Sequence, residues 1–331
     1  PMNRLPLVAR MALLCCSLGF GAVPLTSLAA ETGFPARPVT LVIPFPPGGA
    51  TDVNGRVIAQ KLGKELGQPV VIENRGGAGT VVGASYVAKS TPDGYTLLLS
   101  SGSTFTVNPA IRSNLPYDPV KSFEPIGIAG RVALILLANS EVPVQTVKQF
   151  VEYVKAAPDK YSYGSFGTGT TAQFAGETML RATGLKMTHV PYKGSAPAMT
   201  DLMGGQIPFT IDTVSATVPQ LKSGKIKAIA LTTAKRSALL PDVPTFAESG
   251  YPDVDMDSWL MLAAPKGVPA DVKAKLEKAL AATIADPETK SKLLAAGLEP
   301  SYSNAATSVD LINRELPIMR AIAARANITA D

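Results

Sequence analysis

From Pro38 onward the chain alternates short apolar runs with stretches of helical period. The run VTLVIPF (39–45) reads as a strand. After the turn PPGGATD, Val53, Val57, Ile58, Leu62 and Leu66 share one face at spacings of one, four or five and predict a helix. Strand PVVIEN (69–74), the glycine-rich RGGAGT, the small-residue helix VVGASYVAKS, the TPDGY turn and strand TLLLS (96–100) complete a βαβαβ unit. Such alternation predicts an α/β fold, a doubly wound parallel sheet with crossover helices.

A turn-rich stretch, RSNLPYDPVKSFEP (112–125), leads into the apolar run IGIAGRVALILLAN (126–139), where the chain is expected to cross to a second lobe near Gly130. A second series follows: helix 147–158, strand YSYGSF (161–166), helix 172–184, strand MTHVPY (187–192), helix 196–205, strand IPFTIDTV (207–214), helix 217–224 and strand IKAIALT (226–232). The proline-punctuated stretch 239–267 reads as a return crossing. Beyond it lie helices with few strand signals: Val272, Leu276, Leu280 and Ile284 form an apolar stripe, and Pro317 is expected to kink or split the last helix. The expectation is two lobes, 30–130 plus 248–331 and 131–247, hinged about a cleft.

Composition changes this picture at the N-terminus. Arg4 and Arg10 precede the apolar run MALLCCSLGFGAVPL and the small-residue site TSLAAE, the pattern of a secretory signal peptide over 1–29, cut after Ala29. Gly19, Gly21 and Pro24 interrupt that run, which argues against a membrane span. Cys15 and Cys16 leave with the signal, and Leu14 occupies the position a lipobox gives to a small residue. The exported chain is then cysteine-free, which excludes thiol catalysis, disulfides and cysteine metal sites. With 46% hydrophobic and 17% charged residues among 331, stability comes from core size. The formal charge of +5 falls to +3 without Arg4 and Arg10. No basic run exists, so nucleic acid is not expected as a partner; the mild positive field favours small anions.

Candidate chemistry lies in two turns. In PFPPGGATD the prolines keep the chain extended, Gly48 and Gly49 let a ligand approach bare backbone, and Thr51 or Asp52 can cap the helix that follows. That helix start offers unpaired N–H groups to a carboxylate. GSFGTGTT repeats the grammar in the second series, with hydroxyl donors at Ser165, Thr168, Thr170 and Thr171. Neither loop carries Lys or Arg, which suits a ligand with a carboxylate at each end, held by backbone and hydroxyl groups and released easily.

Other signals support no catalysis or cofactor. GGAGTVVG has Val82 where a dinucleotide fingerprint needs glycine, and no GxxxxGK[ST] exists. His189, the sole histidine, is expected to be structural, so neither a hydrolase triad nor a metal site can be assembled. Asp212 either meets a ligand amine, orders water or caps the next turn. Trp259 is either buried between lobes or part of the cleft wall, and in both cases its fluorescence should report closure.

Taken together, RPVTLVIPFPPGGATD, VIENRGGAG, TPDGYTLLL, LPYDPVKSFEPI, HVPYKGSAPAMTDLMGGQI and AKRSALLPDVPTFAESG resemble the tripartite tricarboxylate transporter receptors, the Bug family of periplasmic solute-binding proteins. The resemblance runs from about Phe34 to the C-terminus. It implies a type 2 periplasmic-binding fold, closing on a small carboxylate and delivering it to integral membrane subunits, with no enzymatic activity, cofactor or metal and a monomeric state. It also implies ligand contacts from Phe45, Pro46, Gly48, Gly49, Ala50 and Asp52, from Gly164, Ser165, Gly169, Thr170 and Thr171, and from Ser100, Ser101 and Ser103. The chain departs from the usual pattern at Phe166 and at Ala172, Gln173 and Phe174. Phe166 either stacks on an aromatic ligand, pointing to a terephthalate-like dicarboxylate, or fills the underside of the loop. Aliphatic dicarboxylates and amino acids are the competing ligands, and presentation to a membrane signalling sensor is the competing role.

Overall fold

The structure is a computed structural model that describes residues 33–330. The expected signal peptide lies outside the described residues.

The first unit forms as the alternation predicts. β1 (Val39–Ile43), α1 (Ala50–Leu66), β2 (Val70–Asn74), α2 (Val81–Ala88) and β3 (Thr96–Ser101) follow in order, and β1 pairs in parallel with both β2 and β3. Leu41 and Ile43 bury one face of β1 with Ile58 and Leu62 of α1, none of them exposed. Each such side chain contributes about 1.5–3 kcal/mol on burial. α1 ends at Gly67, whose φ of 74° supplies the left-handed cap.

A π-helical turn (Ser103–Val107) and the short α3 (Asn108–Ile111) lead to β4 (Phe123–Asn139), a strand of 17 residues. Apart from Glu124, Arg131 and Ala133 it is buried on both faces, as a central strand requires. The second series then supplies α4 (Val147–Lys155), β5 (Ser162–Ser165), α5 (Thr171–Thr183), β6 (Thr188–Pro191), α6 (Ser195–Met203), β7 (Phe209–Thr213), α7 (Val214–Leu221) and β8 (Ile226–Leu231). The chain continues through β9 (Asp257–Pro265), α8 (Ala270–Ala285), α9 (Pro287–Ala295), β10 (Leu298–Asn304) and α10 (Ala305–Ala326).

The strand order is β2-β1-β3-β9-β4-β7-β5-β6, with β8 and β10 also on β4. Along Phe123–Ala133, β4 pairs with β9, and β10 lies on its other side; from Leu134 onward it pairs with β7 and β8. One strand thus belongs to both sheets. All four of its pairings are antiparallel, as is that of β3 with β9, so the sheet is mixed and not wholly parallel. The return crossing hides a strand because Trp259–Ala264 is apolar and buried throughout, without the period-two alternation that marks a half-exposed strand.

α10 runs unbroken through Pro317, which is expected to kink or split it; the ring removes only the bond to the Asn313 carbonyl. Met319 and Ala323 beyond that point join the core cluster of Phe150, Phe174 and Phe209 around the second sheet.

Candidate functional site

Asp52 shapes the loop between β1 and α1. Gly48, at φ 95°, donates its N–H to Asp52 Oδ2 (3.0 Å), while Arg56 Nη2 (2.9 Å) and Asn74 Nδ2 (3.0 Å) reach Oδ1. Burial pushes this carboxyl up, but the bonds from Arg56, Gly48 and Asn74 outweigh it and hold it below the ordinary aspartate value. Asp52 is therefore ionised and committed to the loop. Gly49 is the N-cap of α1 and no side chain caps it, so the leading N–H groups of the helix have no side-chain acceptor.

The second predicted loop is tied up differently. Ser165 Oγ accepts from Gly167 N (3.1 Å) and bonds His189 Nε2 (2.6 Å); Thr170 Oγ1 donates to Gly167 O (2.6 Å); Gly169 N donates to Gln173 Oε1 (2.9 Å). Thr171 N donates to Ser103 Oγ (3.1 Å), which ties α5 to the segment after β3. Gly164 is a packing position: a Cβ there would meet Ile207 Cδ1 at 2.6 Å. Most of the polar groups expected to meet a ligand here bond within the loop instead.

A cavity of about 20 Å³ lies where the β1–α1 loop meets the second series. On one side it is lined by Phe45, Pro46, Gly49, Ala50 and Thr51, with Ser101 at the end of β3. On the other side stand Phe166, Gly194, Ser195 and Thr213, and Ser258 of β9 completes the wall. Ser195 opens α6 behind the uncapped Gly194, and Thr213 caps α7 by accepting from Ala216 N (3.2 Å). Three helix N-termini, those of α1, α6 and α7, thus converge on one space with no charged side chain in its lining. Phe45 and Phe166 meet edge to face across it, ring centroids 6.2 Å apart.

The remaining predicted residues fall around this space. Of the serines at and just past the end of β3, Ser101 lines it, Ser100 Oγ bonds Thr104 Oγ1 (2.6 Å) in a buried hydroxyl chain, and Ser103 holds Thr171. Gly48 and Asp52 stand behind the lining. Asp212 lies one layer deeper, buried and bonded to Ser195 and Thr213. Gly194, Ser195, Thr213 and Ser258 are additions the sequence reading does not single out. The signal for the first two is KGSAP, where Gly and Ser precede a helix with proline in its first turn.

His189 packs against Tyr163 (centroids 5.0 Å) and burial pushes its pKa down to about 4, so it is neutral. Trp259 stacks on Phe105 (6.0 Å) and donates to both Glu315 oxygens (3.0 and 2.9 Å), off the cavity. Thr171 lines a different and larger cleft of about 1010 Å³ between α5 and α10. The cleft wall carries the paired Arg131 and Asp257 (3.0 Å) and many charges of both signs, so its polar groups do not converge on one kind of ligand. Among the described residues no cluster of His, Cys, Asp and Glu could hold a metal.

Comparison with known proteins gives the family of the chain. The family described as "Tripartite tricarboxylate transporter family receptor" matches residues 55–328. The chain is 38% identical to the protein BugT of Bordetella pertussis over 267 residues, 80% of each chain. It superposes on R. palustris Rpa4515 with adipate at a TM-score of 0.87 with 35% identity, covering 90% of this chain and 99% of that one. It also superposes on MatC from Rhodopseudomonas palustris with bound malate, at a TM-score of 0.81 with 31% identity, covering 87% and 99%. These receptors are substrate-binding proteins of periplasmic type and not enzymes, and the chain belongs to the tripartite tricarboxylate transporter receptor family, with its Bug-named members.

Proposed function

We propose that this receptor captures a small dicarboxylate in the periplasm and hands it to the membrane subunits of a tripartite tricarboxylate-type transporter. The observation that carries this reading is the convergence of the α1, α6 and α7 N-termini on a cavity lined by backbone and hydroxyl groups without a charged side chain. Helix N-termini hold carboxylates through unpaired N–H groups and the positive end of the dipole. Two solved relatives bear adipate and malate, both dicarboxylates.

Lobes 30–130 plus 248–331 and 131–247 hinge about β4. A cavity of about 20 Å³ holds roughly one water, so a dicarboxylate enters only when the loops part and is enclosed when they return. The Phe45–Phe166 pair favours a ring between the carboxylates, as in terephthalate. The adipate- and malate-bearing relatives favour an aliphatic chain instead.

A thermal-shift screen against straight-chain dicarboxylates, tricarboxylates, amino acids, benzoate and ring dicarboxylates separates these. A ligand at 100 times its Kd adds about 2.7 kcal/mol, which a melt resolves. A shift with ring dicarboxylates alone supports the aromatic reading, and a shift with adipate or malate alone assigns Phe166 to packing. A screen in which only amino acids or nothing shifts the midpoint contradicts the dicarboxylate reading.

A further inference from the structure

Asp212, at the end of β7, is fully buried, and every group that donates to it reaches the same oxygen. Ser195 Oγ (2.8 Å), Thr213 N (2.7 Å) and Thr213 Oγ1 (3.3 Å) all bond Oδ1, whereas no protein group meets Oδ2. Ser195 and Thr213 line the cavity themselves. Across it, a Cβ built on Gly49 would lie 3.5 Å from Ser195 Oγ, so this hydroxyl looks directly at the start of α1.

We propose that Asp212 is a positioning residue that sets the hydrogen-bond polarity of Ser195, and through it makes carboxylate binding proton-coupled. An ionised Asp212 claims the Ser195 O–H in a charge-assisted bond, leaving the serine lone pairs to face the cavity and repel a ligand carboxylate. Protonated on Oδ2, Asp212 needs only the Thr213 N–H at its carbonyl oxygen, and Ser195 turns its O–H to the ligand. One proton then comes from solvent with each ligand bound. This rests on the dicarboxylate reading above and adds the protonation state of the site.

The surroundings suit such a role. Burial pushes Asp212 up to about 6, against the hydrogen bonds from Thr213 and Ser195, with no charged neighbour acting on it. β4 places Ile135 opposite it, the β5 register reaches only Phe209 and Thr210, and α6 and α7 present Ser195 and Thr213. The acidic residue of α6, Asp201, is occupied by Tyr192 Oη (2.8 Å).

Isothermal titration with adipate and with terephthalate at pH 6.5 and 8, in buffers of different ionisation enthalpy, counts the protons taken up. A site competent only when protonated takes up about one proton per ligand and weakens roughly 25-fold between these pH values, as the competent fraction falls. Asp212→Asn, which keeps the shape, should bind with no proton uptake and no slope. Ser195→Ala should bind more weakly at both pH values, also without a slope. Wild-type binding without proton uptake, or a slope that survives in either variant, overturns the proposal while leaving the receptor reading intact. A carboxyl-carbon NMR titration of ligand-free protein that places Asp212 at the ordinary aspartate value also overturns it. Binding of neither dicarboxylate at either pH removes the carboxylate reading and this inference with it.

Discussion

His189 has a clear cost at the residue scale. Its ring lies against Tyr163, its Nε2 bonds Ser165, and burial pushes its pKa down to about 4. A histidine with a depressed folded-state pKa contributes stability that is present above its unfolded value of about 6.5 and is lost as pH falls through the folded one, because the unfolded chain takes the proton first. Stability should therefore drop by an amount on the order of 2–3 kcal/mol between about pH 6.5 and 4. Denaturant melts across that window check it, and His189→Gln should flatten the slope. Asp212 tilts the curve the other way, since a raised carboxyl pKa favours the folded state at low pH. The two contributions are separated by the Asp212→Asn variant. A wild-type curve that the histidine variant leaves unchanged would mean that His189 carries no acid sensitivity.

At the element scale, the glycine-rich turn after β2 meets the second loop at Gly79. Gly79 has φ 62°, and a Cβ there would fall 2.2 Å from Thr168 O. Asn108 Nδ2 bonds the carbonyls of Gly79 (2.5 Å) and Gly169 (3.1 Å), stitching the GGAGT turn to the second loop. Gly79→Ala should thus hold the loops apart, weakening dicarboxylate binding at least tenfold as well as costing about 1–2 kcal/mol for the positive φ. Gly67→Ala is the control: its φ is 74° with nothing within 4 Å of the added carbon, so it should lose stability but not affinity. Equal affinity loss in both would refute the contact's role. The alternation of apolar runs was enough to place β1–β3 and most of the second series, and glycine with helix-cap grammar was enough to place the start of α1. What it could not show was partnership across the cleft. Ser165 and Thr170 look like ligand donors in one dimension and have their hydroxyls bonded within their own loop, Thr171 gives its N–H to Ser103 while its hydroxyl has no protein partner, and Ser195 and Thr213 reach the cavity only through the sheet order. β9 was hidden because a fully buried strand has no alternation to read.

For the whole molecule, the connections between the two sheets decide what a ligand must do. β4 is shared by both, the stretch from Thr232 to Asp257 returns the chain, and α10 places Glu315 on Trp259 while its later turns pack into the second core. On the proposed hinge reading, α10 packs on both cores, through Leu311 and Ile312 on one and Met319 and Ala323 on the other, so parting the loops would strain the helix where Glu315 bonds Trp259. On the proposed reading, a dicarboxylate would hold α1 at one end and α6 and α7 at the other and bind the shut geometry better than the open one, whereas a monocarboxylate would satisfy one side only and have little differential affinity to drive closure. Scattering should accordingly show a smaller radius of gyration with terephthalate or adipate but not with benzoate or hexanoate, and Trp259 emission should change in parallel. In Glu315→Gln the compaction should persist with an altered emission response, since the carboxylate reports on closure without contacting the ligand. Equal compaction by a monocarboxylate at saturation would show that one helix terminus is enough to close the receptor, and the need for two carboxylates would fall.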